Sequence, residues 1–290
     1  MRILVTGASG QVGSEVVADL ARRSAAIVKG PGLDVVAADR QRLDVSDRDA
    51  VLAAIAALEP DLVVHPAAWT AVDACEGDPE RAFAVNALGT RHVAEGARLV
   101  GAHVAYVSTD YVFDGTAARP YNEWDTPHPL SVYGVSKLGG ERELDASATV
   151  VRTSWVCGRN GANMVKTVLR LASGAGGPLR FVDDQRGCPT VAGDLASKLL
   201  DLALARRSGV FHVTNQGEAT WYELARHVVA AAGLDAGRVE PISTAELDPP
   251  RPAPRPARAV LDNAALRLGG DALLPPWRES IDRLVAELTR

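Results

Sequence analysis

Near the start of the chain the apolar run Ile3-Leu4-Val5 passes into Thr6-Gly7-Ala8-Ser9-Gly10-Gln11-Val12-Gly13 and then into a helical pattern. A strand, glycines at spacings of three and a helix start constrain the backbone more than any other stretch. Gly7 permits a tight turn, Gly10 lets main-chain N–H groups approach a pyrophosphate, and Gly13 lets the helix lie close to the sheet. The helix N-terminus adds partial positive charge, so Gly7, Gly10, Gln11, Val12 and Gly13 read as the phosphate cradle of a dinucleotide, NADPH or NADH.

Short β-branched runs at 3–6, 35–38, 62–66, 104–108 and 149–152 alternate with helical patterns at 12–23, 48–57, 79–99 and one entered near Tyr133. This rhythm predicts right-handed βαβ units in an α/β, Rossmann-type doubly wound parallel sheet. After Thr153 the alternation loosens into a helix at 163–172, a loop at 183–190, a helix at 191–205, a strand at 210–214 and an amphipathic helix at 279–288. We expect a dinucleotide-binding domain over 1–152, with 178–214 returning to it in part. A smaller C-terminal α/β substrate-binding domain would use 153–177 and 215–290. Pro249, Pro250, Pro252, Pro254 and Pro256 exclude a helix or a central strand there, leaving an interdomain linker or a loop around the substrate cleft.

At the end of the second predicted strand, Asp39 offers a carboxylate to an adenosine ribose, whereas Arg40 offers a cation to a 2′-phosphate. The two residues argue for different nicotinamide cofactors. Asp44 and Val45 are placed to flank the adenine, although capping of the next helix by Ser46 or Asp47 accounts for the same local polarity.

Tyr133 and Lys137 stand four apart and project from one helix face. A cation beside a phenol stabilises the phenolate and lowers a pKa that is ordinarily about 10, which suits proton transfer near neutrality. Ser108-Thr109-Asp110 closes a predicted parallel strand, at the sheet edge where open α/β folds bind ligands, and a hydroxyl there can hold a carbonyl. Taken singly, Thr109 and Asp110 also read as a strand cap and a turn anchor.

Composition narrows the partners. A formal charge of −5 argues against a surface made for nucleic-acid phosphates, and no apolar run approaches a membrane span. Cys75, Cys157 and Cys188 are odd in number and widely spaced, so neither a disulfide framework nor a paired-cysteine zinc site is expected. The six histidines lack ligand spacing, and cysteines and histidines alike are expected to pack. A cytoplasmic protein with a small-molecule partner follows.

The motifs TGASGQVG from Thr6, AAWTAVDACE from Ala67, VNALGT from Val85, STDYVFDG from Ser108, YGVSKLGGE from Tyr133, RTSWVCG from Arg152 and VDDQRGCPT from Val182 span almost the whole chain. In them the chain resembles the extended short-chain reductases and, more narrowly, the dTDP-4-dehydrorhamnose reductase family. That resemblance implies reduction by NADPH or NADH of the 4-keto group of a dTDP-linked 4-keto-6-deoxy sugar, dTDP-4-dehydro-6-deoxy-L-mannose, to dTDP-L-rhamnose. It assigns Tyr133 as proton donor to the C4 alkoxide, Lys137 as its tuner and ribose ligand, and Thr109 as the group that positions the carbonyl. It sets Ala67 and Ala68 beside the cofactor, and Thr70, Val72, Thr109, Asp110 and Trp155 around the sugar. Asn86 would support backbone geometry or a water relay.

Related dehydratases carry Asp-Glu after the threonine, with the glutamate as base; here Tyr111 follows Asp110, so simple ketoreduction is expected. Some relatives hold magnesium between subunits, and Glu15 falls at such a position; surface helix charge is the reading adopted, and no metal is assigned. A homodimer is compatible with the resemblance. The stretch 73–78 lacks the family's lysine, and Cys157 and Cys188 replace more usual residues, which leaves the preferred sugar open. A reductase of another dTDP-4-keto sugar would share every motif. A non-catalytic dinucleotide-binding subunit would have no need of Thr109, Tyr133 and Lys137.

Overall fold

The computed structural model describes residues 1–26, 32–174 and 176–290. The chain opens with β1 (Arg2–Thr6), α1 (Gln11–Ala25), β2 (Asp34–Ala38), α2 (Arg48–Leu58) and β3 (Leu62–His65). Next come α3 (Val72–Gly77), α4 (Pro79–Phe83), a π-helical turn (Ala84–Leu88), α5 (Gly89–Val100), β4 (His103–Thr109), α6 (Val132–Arg142) and β5 (Thr149–Thr153). The remainder adds β6 (Val156–Cys157), α7 (Met164–Ala172), β7 (Leu179–Val182), β8 (Arg186–Gly187), β9 (Thr190–Val191), α8 (Ala192–Leu204) and β10 (Gly209–His212). It ends in β11 (Ala219–Thr220), α9 (Trp221–Ala231), β12 (Val239–Ile242), α10 (Ala264–Leu268) and α11 (Trp277–Leu288).

Six strands form one parallel sheet in the order β10-β5-β4-β3-β1-β2. The strand order reverses between β1 and β3, which opens a crevice beyond their carboxyl ends. Strand alternation divides the side chains between two cores. Ile3 and Val5 pack with Leu20 of α1 and Leu195 and Leu199 of α8, whereas Leu4 and Val63 pack with Ile55 of α2 and Val93 of α5. Each such side chain, fully buried, contributes roughly 1.5–3 kcal/mol, so the alternation fixes which face each helix covers.

A separate core joins Val165 and Val168 of α7, Leu224 and Val228 of α9, and Ile281 and Leu284 of α11, beside the parallel pair β7–β12. Helix α9 had no counterpart in the sequence reading. It starts at a capping box in which Thr220 accepts from the Glu223 N–H and the Glu223 carboxylate accepts from the Thr220 N–H, a pattern legible as T-x-x-E. The single helix expected over 79–99 is three segments with a π turn inside, and the final helix begins at Trp277 instead of 279. The proline-dense stretch is not a free linker. Asp73 of α3 binds Arg255 and the Ala253 N–H, and Arg186 of β8 exchanges main-chain hydrogen bonds with Ala257 and Ala259.

Candidate active site

A cleft of about 750 Å³ runs along the carboxyl ends of the sheet strands, and of the residues expected from the sequence to be catalytic or to touch cofactor or sugar, all but Asp39 line it. At one end is the glycine turn. Gly7 has φ +56, and a Cβ there would come within 2.7 Å of the Ala67 Cα; one on Gly13 would come within 2.2 Å of the Gly7 carbonyl oxygen. Two backbone segments thus meet where only hydrogen side chains fit. Helix α1 starts at Gly10 with no side-chain cap, so its first N–H groups are left for an acceptor in the cleft. A glycine-lined cradle beneath an uncapped helix start fits a dinucleotide pyrophosphate.

At the adenosine end, one oxygen of the Asp39 carboxylate, Oδ1, accepts from the Gln41 and Arg42 N–H groups at 3.0 Å each, while Arg40 lines the cleft and pairs with Asp44 at 3.4 Å. Asp47 caps α2 by accepting from the Ala50 N–H, and Ser46 bonds Asp44. Capping and cleft lining therefore coexist in this loop, on different residues.

The acid-base pair is set by α6. Ser131 caps it by accepting from the Gly134 N–H, and Gly134 lets the helix press against the turn that follows β4, since a Cβ there would sit 2.3 Å from the Tyr111 carbonyl oxygen. Lys137 is buried, donates to the Val107 carbonyl at 2.8 Å and lies 4.1 Å above the Tyr106 ring. Burial lowers its pKa to about 7, with Glu141 opposing. Burial also holds the Tyr133 phenol well above its usual value, against a lowering contact with Thr109. Tyr133 therefore keeps its proton at neutral pH. Thr109 donates to Asp110 at 3.0 Å, and Asp110, which accepts from Ser154 at 2.7 Å, is raised to about 6 by burial.

We expect the Lys137 ε-carbon resonance of the cofactor-free protein to titrate with a midpoint near 7, the charge being present below it and lost above it. A Lys137→Met variant should lose that titration. A midpoint near the ordinary lysine value of about 10.4 would mean that water reaches the amine.

Several supporting residues were invisible in the sequence. Glu141 accepts from Ser108 at 2.5 Å and from the Arg152 guanidinium at 2.9 and 2.7 Å, tying α6 to β4 and β5 inside the protein. His65, expected only to pack, contacts Thr6 at 2.6 Å and Thr90 at 3.3 Å; burial, with the Lys137 charge, lowers it to about 3, so it is neutral. Asn86 in the π turn clamps the Trp69 N–H and carbonyl and donates to Ser136, so of its two expected roles the backbone one matches these bonds. Trp155 has φ +45 and stacks on Trp221 at 3.4 Å between ring centroids. A Cβ on Gly187 would come within 2.5 Å of the Trp155 ring, so that glycine seats it. A bulky residue in the left-handed region is strained, and here it forms a cleft wall.

Glu15 corrects an expectation: it is buried, not surface charge, and binds the Arg159 guanidinium at 3.0 and 2.9 Å. Asp194 beside the same small polar cavity is bound by Arg283 at 3.0 Å. Each of these two carboxylates thus has an arginine as its counter-charge. Among the described residues no group of three His, Cys, Asp or Glu side chains is arranged to hold a metal, and no helix is long and apolar enough to cross a membrane.

The doubly wound sheet, the glycine cradle and the Thr-Tyr-Lys cluster define an extended short-chain dehydrogenase/reductase. The family model described as RmlD substrate binding domain matches residues 1–290. A dTDP-4-dehydrorhamnose reductase of Streptomyces griseus is 42% identical over 97% of this chain and 91% of its own. A probable dTDP-4,6-dihydroxy-2-methyloxan-3-one 4-ketoreductase of Streptomyces antibioticus is 42% identical over 97% and 93%. The solved dTDP-4-dehydrorhamnose reductase of Bacillus anthracis in complex with NADP superposes with a TM-score of 0.90, at 34% identity and over 99% of both chains. The chain belongs to the dTDP-4-dehydrorhamnose reductase family.

Proposed function

We propose that this enzyme reduces the 4-keto group of dTDP-4-dehydro-6-deoxy-L-mannose to dTDP-L-rhamnose with a reduced nicotinamide cofactor. The observation that carries the reading is the meeting of Thr109, Tyr133 and Lys137 in the same cleft as the Gly7–Gly13 turn. Gly7, Gly10, Gly13 and the start of α1 would hold the pyrophosphate, and the bound dihydronicotinamide supplies the hydride. Thr109 orients the sugar carbonyl oxygen, and Tyr133, protonated at neutral pH, donates to that oxygen as it gains charge. Lys137, close to its midpoint, balances the charge left on Tyr133. Burial raises the pKa of Tyr111 to about 12, so it holds its proton and does not serve as the base an elimination would need.

Arg40 lining the cleft, with Asp39 outside its lining and held through Oδ1 in its own turn, supports a preference for NADPH. The chain is read as a dinucleotide domain over 1–152, joined in part by 178–214, with the remainder forming the sugar end. Three buried, unpaired cysteines accord with a reducing cytoplasm.

The test supplies dTDP-4-keto-6-deoxyglucose, with and without the 3,5-epimerase that makes the L-lyxo sugar, and follows NADPH and NADH. Oxidation of NADPH ahead of NADH, only with the epimerase, is expected, and Arg40→Ala should narrow the ratio about tenfold. The Streptomyces antibioticus relative favours a second reading, reduction of another dTDP-4-keto sugar. Oxidation without the epimerase would select it, and no oxidation in either case would return the non-catalytic subunit.

A further inference from the structure

Trp155 and Trp221 both line the cleft, one just after β5 and the other opening α9, and their rings lie 3.4 Å apart between centroids with planes 5° from parallel. Aromatic rings left to themselves prefer an offset or edge-on arrangement. A sandwich with almost no offset, built on a residue at φ +45, is therefore held by its surroundings. The holder is the run Asp183-Asp184-Gln185-Arg186-Gly187, the centre of a motif that neither the cofactor cradle nor the proton transfer uses. Gln185 and Gly187 stand two apart on the extended run entering β8 and so face the same side. At Gly187 the missing side chain makes room for the Trp155 ring, and the buried Gln185 accepts from the Trp221 indole Nε1–H at 3.3 Å.

The direction of that bond is fixed from behind. Thr244 gives its hydroxyl proton to Asp184 at 2.5 Å and its N–H to both Asp184 oxygens, so its Oγ1 is left to accept from the Gln185 amide at 2.9 Å. With Nε2 committed there, Oε1 is the atom that meets the indole. Asp183 completes the frame by accepting from the Thr220 hydroxyl at 2.6 Å, next to Trp221. We propose that Gln185 is a positioning residue for the keto sugar: it pins Trp221, and through the stack it keeps Trp155 as a rigid apolar wall at the sugar end of the cleft. This rests on the ketoreductase reading of the cleft. A wall fixed before the sugar arrives need not be ordered on binding, so the gain falls on sugar affinity and not on the chemical step.

The test joins kinetics to NMR of the five tryptophan indole N–H groups, those of Trp155 and Trp221 being assigned by the resonance that each Trp→Phe change removes. Gln185→Leu should raise the keto-sugar KM about tenfold, with kcat within about threefold and NADPH affinity within about twofold. In the same variant the Trp221 indole proton should exchange with solvent about tenfold faster and the Trp155 resonance should shift as the stack loosens, whereas a general loss of stability would spread over all five. Trp221→Phe should raise KM by a similar factor, and the double variant should fall little further, because both changes cut one link. Gln185→Glu keeps an acceptor for the indole and should restore most of the affinity. Should Gln185→Leu not fold, Thr244→Val, which frees the amide to turn, carries the measurement with the same shifts and a KM raised about threefold. An unchanged KM, multiplicative losses, or a raised KM with both indole resonances unmoved would overturn the proposal. The same cycle is read calorimetrically on dTDP-L-rhamnose. A wild type that binds this nucleotide sugar with the expected coupling yet oxidises no NADPH would sink the ketoreductase reading alone.

Discussion

Tyr133→Phe should lower kcat about 1,000-fold while leaving NADPH affinity within about twofold of the wild type. Proton donation by a positioned side chain contributes typically 10²–10⁴-fold, and each tenfold corresponds to about 1.4 kcal/mol of barrier. Phenylalanine keeps what the ring does structurally: its edge contact with Tyr111 and its packing with Cys75 and Ala82. Only the O–H is lost. Lys137 also keeps its anchor, because it bonds the Val107 carbonyl and not the phenol. Steady-state rates with the keto sugar, together with NADPH fluorescence titration, check the result. A parallel loss of NADPH binding would make Tyr133 a structural residue. An unchanged kcat would pass proton donation to another group, Tyr111 being the adjacent phenol in the cleft.

Gly10→Val should weaken cofactor binding more than about 100-fold in a protein that still folds. Gly10 has φ −72 and ψ 172, extended backbone open to any residue, and a Cβ there would meet only the Gly7 carbonyl oxygen, at 3.2 Å. The added isopropyl group therefore enters the cleft above the uncapped start of α1, displacing a pyrophosphate from the N–H groups that would hold it. Gly13 makes the contrast. A Cβ there would lie 2.2 Å from a backbone oxygen, so Gly13→Val should fail through the fold itself. Thermal melting separates the two variants, and calorimetry with NADPH measures the first. Retained affinity in Gly10→Val would remove the glycine turn from the cofactor site.

The features behind both expected results are legible in the sequence alone. The glycine turn, the Tyr133–Lys137 spacing and the β-branched alternation each lie within a few residues, and local backbone sterics and helix periodicity are enough to read them. Helix α9 carried a legible T-x-x-E start, yet its apolar residues pack on α7 and α11, so only the partner helices show why it matters. Trp221 was missed with it. The pairing of Glu141 with Arg152, and of Glu15 with Arg159, joins residues on different elements, and charge alone does not say which arginine will arrive.

Asp39 and Arg40 show most clearly where the boundary falls. As neighbours in the chain they argue for opposite cofactors, and only the turn tells them apart: two N–H groups bond one Asp39 oxygen, while Arg40 lines the cleft and pairs with Asp44. The proline segment behaves in the same way, since its composition excludes helix and central strand but leaves its path open. The sequence by itself determined the parallel α/β architecture and the chemistry available at its edge, because both follow from short-range periodicity. Tertiary structure decided which carboxylates are spent on ion pairs, which tryptophan backs Trp155, and which arginine meets Asp73, because those contacts exist only once distant segments are packed together.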